Sequence, residues 1–164
     1  MISKAMQDAL NGQIQAEFES AYVYLAMSAW CEQQNLPGHG AWMRKQAAEE
    51  LEHGMKIYSH IVDRGGAVAL KAIAQPPAKY KSALEVWEKT LAHEKSITAR
   101  INALCDKATK ANDHAMLEML QWFVREQVEE EKTASGILEQ ARMIGSGSAM
   151  FFLDRHLGKD AAKE

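Results

Sequence analysis

The sequence predicts an all-α fold: a four-helix bundle with one long crossover and a short fifth helix at the C-terminus. The only prolines among the 164 residues are at positions 37, 76 and 77, so long stretches contain no residue that breaks a helix. Four stretches carry apolar residues at alternating steps of three and four, the pattern of a helix buried along one side. We therefore expect one domain over residues 1–164, with the bundle over about 3–144 and the fifth helix over about 148–157.

The first two helices are predicted over residues 3–33 and 40–64, joined by the turn at residues 35–38. Because this turn is short, the two helices should be antiparallel neighbours. Their apolar stripes are Leu10, Ile14, Glu17, Ala21, Tyr24, Ser28 and Cys31 in the first helix, and Met43, Ala47, Glu50, Gly54, Ile57 and Ile61 in the second. One carboxylate interrupts each stripe, and a buried carboxylate without a partner is costly.

Residues 66–81 connect the second and third helices. Extended, this segment spans roughly 50 Å, whereas the second helix is roughly 37 Å long. The segment can therefore return along the bundle surface and make the second and third helices parallel. A capping box at Ser82-Ala83-Leu84-Glu85 starts the third helix. Its predicted stripe is Leu84, Trp87, Leu91, Glu94, Thr98, Ile101 and Cys105.

The fourth helix is predicted from the break at residues 111–113 to Ile144, and Gly145-Ser146-Gly147 ends it. Its stripe is Met116, Leu120, Phe123, Gln127, Glu130, Ala134, Ile137, Ala141 and Ile144. The fifth helix is predicted from Ser148 to about Leu157. It is too apolar to stand free in water, so we expect it to dock on the bundle. Its apolar residues are Met150, Phe151, Phe152, Leu153 and Leu157.

Composition excludes several other classes of function. The net charge is −3 and no basic tail is present, which argues against nucleic acid as a partner. The N-terminus has no apolar signal-peptide core, and no apolar run reaches membrane-spanning length. Cys31 and Cys105 do not form a disulfide framework. We therefore expect a protein of the reducing cytoplasm that binds neither nucleic acid nor a membrane.

The side chains that interrupt the four stripes predict a metal site. They are Glu17, Glu50, Glu94, Gln127 and Glu130. Carboxylates that converge in an apolar core repel one another, and no Lys or Arg occupies the same stripes. His53 follows Glu50 by three residues, on the same side of a helix. Oxygen ligands with one imidazole suit iron or manganese, with zinc as a competitor, and the layout is that of the di-iron carboxylate bundles.

The predicted pair of metal positions is asymmetric, because only the second helix has Glu-x-x-His and the fourth has Gln127-x-x-Glu130. We assign one position to Glu17, Glu50 and His53, and the other to Glu50 as a bridge, Glu94 and Glu130. This asymmetry predicts one tightly bound iron and one weaker, exchangeable iron.

Five segments carry a resemblance to a known family. They are residues 15–24, 28–31, 49–53, 93–94 and 120–132. Through them the chain resembles the bacterial non-haem ferritins over its whole length. The resemblance implies a ferroxidase centre at Glu17, Glu50, His53, Glu94 and Glu130, with Gln127 beside it, a redox-active Tyr24, and a third iron site of Glu49, Glu126, Glu129 and Glu130. It also implies a cage of twenty-four copies around ferric mineral, with the fifth helix at the fourfold axes and O2 or H2O2 as the oxidant.

Related families fit less well. A bacterioferritin should have a second Glu-x-x-His in the fourth helix, a rubrerythrin should have Cys-x-x-Cys pairs, and a Dps-like mini-ferritin builds its iron site between subunits. Two other functions stay open from the residues alone: a di-iron oxygenase acting on an organic substrate, and a structural bundle with a metal clip. Tyr24 could be a packing residue, and Glu49, Glu126 and Glu129 could be a solvated acidic face.

Overall fold

The computed structural model describes residues 1–145 and 147–163 of the chain, and this part is helical without any strand. The helices are α1 (Lys4–Gln33), α2 (Pro37–Asp63), α3 (Ala83–Lys110), α4 (His114–Ile144) and α5 (Met150–Ala161). The predicted all-α fold is therefore confirmed. None of these helices, over the residues described, is both long and apolar enough to be a membrane span. Residues 145–147 were predicted to end the fourth helix, and Ser146 among them lies outside the described residues. Residue 164 lies outside them as well.

The helix boundaries follow from local capping chemistry. The Ser3 hydroxyl accepts the N–H of Met6 at 3.3 Å where α1 begins, and the predicted Ser82 cap of α3 accepts the N–H of Glu85 at 3.1 Å. The prediction was wrong by three residues at the start of α2, which begins at Pro37. Proline fits a first helical turn because its φ is already helical and its missing N–H is not needed there. The α5 helix also begins and ends later than predicted.

Contacts between α1 and α3 fix the direction of the crossover. The Tyr24 hydroxyl donates to Glu94, and the Arg100 guanidinium donates to the Gly12 carbonyl at 2.7 Å. Residue numbers rise on one helix as they fall on the other, so α1 and α3 are antiparallel. Since the short turn makes α1 and α2 antiparallel as well, α2 and α3 are parallel, as predicted.

The crossover lies along the surface of α1, where polar side chains hold it. The Asn11 side chain donates to the Ala67 carbonyl at 3.1 Å and accepts the Ala69 N–H at 2.9 Å. One turn further on, Gln15 donates to the Ala72 carbonyl at 2.8 Å. These side chains satisfy backbone groups that no helix or sheet partner serves. The expectation that this segment is ordered on the surface agrees with these contacts.

The core consists of two apolar clusters with polar side chains between them. One cluster packs Met43, Trp87 and Leu153. The other, towards the opposite end of the bundle, packs Leu10 and Ile57 with residues of α3 and α4. The carboxylates that interrupt the predicted stripes lie between these clusters. Their side chains are therefore strongly desolvated, and the close packing on both sides restricts their movement.

The predicted stripe of α3 was partly wrong. Leu84, Leu91, Thr98 and Cys105 are only half-buried. The buried residues are Ala83, Val86, Trp87, Thr90, Glu94, Ile97, Ile101, Leu104 and Ala108. Because α3 packs against both α1 and α4, its buried face is broader than one seam. Glu94 stays on that face with 1 % exposure.

The α5 helix docks on the start of α2, as the sequence predicts in general terms. The Asp154 carboxylate accepts the backbone N–H groups of Gly38 at 3.1 Å and His39 at 2.9 Å. It also lies 2.7 Å from Nδ1 of the buried His39 ring. A side chain from one helix thus caps the open N-terminus of another, where N–H groups have no partner in their own helix.

The apolar contacts of α5 involve fewer residues than expected. Leu153 and Leu157 are buried against the bundle. Phe151 and Phe152, by contrast, are 59 % and 71 % exposed and do not take part in docking within one chain. The sequence prediction did not distinguish these two groups, because all four residues are strongly apolar.

Candidate metal centre

Helices α1 to α4 each contribute side chains to one buried polar site at the middle of the bundle. The exposed fractions are 1 % for Glu17, Glu50 and Glu94, 2 % for Gln127 and 5 % for His53. The Glu130 side chain is 9 % exposed. All six residues predicted for the two-metal centre therefore meet in the interior.

Two groups of three ligands have the composition predicted for the two metal positions. In the first, single ligand atoms of Glu17, Glu50 and His53 all lie within 4.8 Å of one another. In the second, the same holds for Glu50, Glu94 and Glu130. An ion bound at about 2.0–2.4 Å from each ligand fits between atoms so spaced. Glu50 belongs to both of these groups, so its carboxylate can bridge the two ions.

Several carboxylate oxygens at this site lack a hydrogen-bond partner. The Glu17 Oε1 atom accepts from the Gln13 amide at 2.8 Å. Among the described residues, buried oxygens without a partner are Oε2 of Glu17, both oxygens of Glu50 and Oε2 of Glu130. Native proteins rarely leave such atoms unsatisfied, and cations are one means of satisfying them. The donor set fits divalent iron or a similar ion.

Burial controls the protonation of these carboxyls before any metal binds. Burial raises the pKa of Glu17 to about 7, while the hydrogen bond from Gln13 lowers it again in part. Burial, followed by repulsion from Glu17 and Glu94, raises the pKa of Glu50 well above its usual range. Burial and the charge of Glu94 raise the pKa of Glu130 to about 10. The metal-free site therefore retains protons that a bound cation would displace.

The environment of the His53 imidazole favours its neutral form. Its Nδ1 atom faces the carboxylates, at 3.5 Å from Glu50 Oε2 and 3.9 Å from Glu130 Oε1. Its ring packs edge-on against Trp122 and Phe123. This burial lowers the pKa of His53 to about 4. A neutral imidazole is the form that binds metal.

Tyr24 and Gln127 both bind the Glu94 carboxylate. The Tyr24 hydroxyl donates to Oε1, and the Gln127 amide donates to Oε2 at 3.2 Å. Burial, then the negative charge of Glu94, raises the pKa of Tyr24 well above its usual range, so the phenol keeps its proton. Gln127 was expected among the metal ligands; in the structure its amide donates to a predicted ligand, Glu94.

The outer acids, defined as Glu49, Glu126 and Glu129, line an open cavity of about 230 Å³ beside the buried centre. Glu130 lines the same cavity. Ligand atoms of Glu126 and Glu130 lie within 4.8 Å of each other and of His53. Glu49 and Glu129 belong to no such group among the described residues, so the structure brings together only part of the predicted third site. Burial raises the pKa of both Glu49 and Glu126.

Sequence reasoning missed two glutamines that support the carboxylates. Gln13 donates to Glu17, and Gln46 donates to Glu130 Oε1 at 3.2 Å. The contact between Gln13 and Glu17 could have been predicted, because the two residues are four apart and such side chains meet on a helix. The contact between Gln46 and Glu130 joins different helices and had no signal in the local sequence.

Comparisons with known proteins agree with this fold. Residues 7–144 match the ferritin-like domain family. A probable bacterial non-heme ferritin-like protein of Haemophilus influenzae is 40 % identical over 164 residues, which cover 99 % of each chain. The bacterial non-heme ferritin of Bacteroides fragilis is 39 % identical over 97 % of this chain and 99 % of its own. A solved Archaeoglobus fulgidus ferritin, engineered into a closed form, superposes with a TM-score of 0.96 at 42 % identity, covering 100 % of this chain and 99 % of that one. The chain therefore belongs to the ferritin family of iron-storage proteins.

Proposed function

We propose that this chain is a ferroxidase that stores its product. It binds two Fe(II) ions as substrates at the paired ligand groups, oxidises them to Fe(III) with O2 or H2O2, and delivers them to ferric mineral inside a cage of twenty-four copies. The observation that carries this proposal is the meeting of the two buried groups at Glu50. A shared carboxylate keeps two ions close, so that two electrons can pass to one oxidant molecule.

The charges of the site favour uptake of Fe(II) and later release of Fe(III). Four carboxylates, from Glu17, Glu50, Glu94 and Glu130, match the charge of two Fe(II) ions once their protons have left. Oxidation adds two positive charges that these ligands do not balance. The outer acids beside the centre offer the next anionic position, which supports a third iron site or an exit route there.

Tyr24 is proposed to assist oxidation. Its phenol binds a ligand of the second metal position through Glu94. It can supply an electron to the reaction while Glu94 takes its proton, or it can simply hold Glu94 in position. The packing interpretation of Tyr24 predicts neither effect on the oxidation of iron.

The cavity distinguishes this proposal from the two alternatives. A di-iron oxygenase needs an apolar pocket beside the metals for its substrate, whereas the cavity here is lined by five glutamates, Glu49, Glu94, Glu126, Glu129 and Glu130. A structural metal clip needs no access for fresh ions, whereas this cavity opens beside the buried ligands.

The decisive experiment adds Fe(II) to metal-free protein and measures both O2 consumption and iron retained per subunit. We expect O2 consumption together with retained ferric iron well beyond the number of binding sites. His53→Ala should slow initial oxidation by an order of magnitude or more, because it removes the nitrogen ligand of the first position. The matched control is His156→Ala on the exposed side of α5. Oxidation without retention would favour an oxygenase, retention without O2 consumption would favour a clip, and full rates in assembled His53→Ala would refute the ligand assignment.

A further inference from the structure

A hydrogen-bonded chain of side chains leads from the surface of α3 to the first metal position. Nε of Arg100 donates to Oε1 of Gln13 at 3.1 Å. Nε2 of Gln13 in turn donates to Oε1 of Glu17 at 2.8 Å. Gln13 is buried with 1 % exposure, so water cannot replace either partner freely. Every link joins a different pair of residues, and the chain crosses from α3 to α1.

The direction of this chain is set by what a guanidinium can do. Arginine carries only donors, so it can bind the oxygen of the Gln13 amide but never its nitrogen. The amide must therefore turn its NH2 group towards Glu17. With an amide flipped the other way, an oxygen would face the carboxylate and repel it. Arg100 itself is held in place because a second nitrogen donates to the Gly12 carbonyl at 2.7 Å.

The consequence for Glu17 is that its two oxygens become different. Oε1 is occupied by the bond from Gln13. Oε2 is buried, and it has no hydrogen-bond partner among the residues described. The carboxylate is thus oriented with one oxygen committed to the protein and one free for a cation.

We infer that Arg100 and Gln13 are positioning residues that orient Glu17 and so set the affinity of the first metal position for divalent cations. This inference rests on the proposed function, because it assumes that Glu17, Glu50 and His53 form a metal site. It goes beyond that proposal by adding a residue of α3 that touches no ligand and is hydrogen-bonded to the site through the Gln13 amide. The second metal position, at Glu50, Glu94 and Glu130, should not respond to it.

The test is an anaerobic titration with Co(II), followed by its visible absorption, on the full-length assembled protein. The His53→Ala variant identifies which of the observed sites contains the imidazole. Gln13→Met keeps side-chain length, Arg100→Met keeps an unbranched apolar stem, and both remove the hydrogen bonds; the two changes are also combined. If Gln13→Met does not fold, Gln13→Leu takes its place. The matched control is Lys95→Met, which removes the same charge from an exposed position of the same helix.

We expect Arg100→Met to weaken the His53-dependent site about tenfold, the scale of one hydrogen bond to a charged group or of one lost outer partner of a metal ligand. Gln13→Met should weaken the same site to a similar degree. Once Gln13 is replaced, Arg100→Met should add much less further loss, since most of its effect passes through the amide. Neither change should alter the other site, and Lys95→Met should alter neither.

Three outcomes would overturn the inference. An equal further loss on adding Arg100→Met to Gln13→Met would mean that the charge of Arg100 acts directly through space. Equal weakening of both sites would indicate a general effect on the bundle. Unchanged affinity in Arg100→Met would mean that Gln13 needs no such support. Failure of the proposed function looks different, because the unmodified protein itself would then show no site that depends on His53.

Discussion

The metal-free protein should lose stability as the pH rises above about 6.5, the ordinary pKa of histidine, and a bound divalent ion should restore it. The reason lies in the buried carboxyls of the two ligand groups. Glu17 has an ordinary pKa of 4.5 when exposed, and burial raises it to about 7 in the folded chain. The folded state therefore holds a proton that the unfolded chain has already released. The contribution of Glu17 to stability is fully present below pH 4.5 and is lost as the pH rises through about 7.

The size of the effect follows from the shift. The rise from 4.5 to about 7 is about 2.5 pH units, and each unit corresponds to about 1.4 kcal/mol. Glu17 alone thus contributes a loss on the order of 3 kcal/mol between acid and neutral pH. Glu130, whose pKa is raised to about 10, extends the loss to higher pH. His53, whose pKa burial lowers to about 4, acts in the opposite direction below pH 6.5, so the net loss is expected above that value. A divalent ion at a hundredfold excess over its dissociation constant stabilises the folded state by about 2.7 kcal/mol.

The measurement is thermal melting of the chelator-treated protein at several pH values between 6.5 and 8, with and without Zn(II). We expect the midpoint of the metal-free protein to fall with rising pH and the Zn(II) sample to fall less. Glu17→Gln should reduce the pH dependence, because it removes one of the titrating carboxyls. Glu52→Gln, at an exposed position of α2, should leave it unchanged. A midpoint that is constant or rises across this range, with the same value in Zn(II), would refute the reasoning.

Three further predictions concern the tyrosine, the outer acids and the docking of α5. Tyr24→Phe should bind Fe(II) with unchanged affinity but alter the transient absorption seen during oxidation; identical stopped-flow spectra would reduce Tyr24 to packing. Replacing the three outer acids with Ala should lower anaerobic Fe(II) binding from three ions per subunit to two and change the ratio of iron oxidised to O2 consumed; three ions bound with an unchanged ratio would make these residues a solvated face. Gly38→Ala would place a Cβ 1.7 Å from the Asp154 carbonyl oxygen, so α5 should detach and exchange its amide hydrogens faster. Gly136→Ala, where a Cβ meets nothing within 4 Å, is the control, and slow exchange of α5 in both variants would contradict the clash.

The periodic parts of the fold were predictable because helix geometry is local. Apolar spacing located α1 to α4, and interruption of the stripes located the buried carboxylates. Glu50 and His53 are three residues apart on one helix. Once that helix was predicted, the two side chains had to lie on the same side of it. The two ligand groups then required only that four stripes face one axis, which a bundle of this size enforces.

Contacts between helices could not be predicted in the same way. They depend on how far each helix is rotated about its axis and shifted along it, and the packing of the whole core decides both. The broader buried face of α3 is one result, since that helix packs on two neighbours at once. The split among the outer acids is another, because Glu126 lies near His53 and Glu130 while Glu129 does not join them.

The sequence by itself determined the helices, their order and the placement of one or more candidate metal ligands on each, since these follow from residue spacing along a single element. Only the tertiary structure decided which oxygen of Glu17 is free, that Arg100 reaches Gln13 from another helix, and that Asp154 rather than the two phenylalanines secures α5. Those features are choices among hydrogen-bond partners far apart in the chain. Their physical origin is that a buried polar group must find a partner, and the folded core determines which one is within reach.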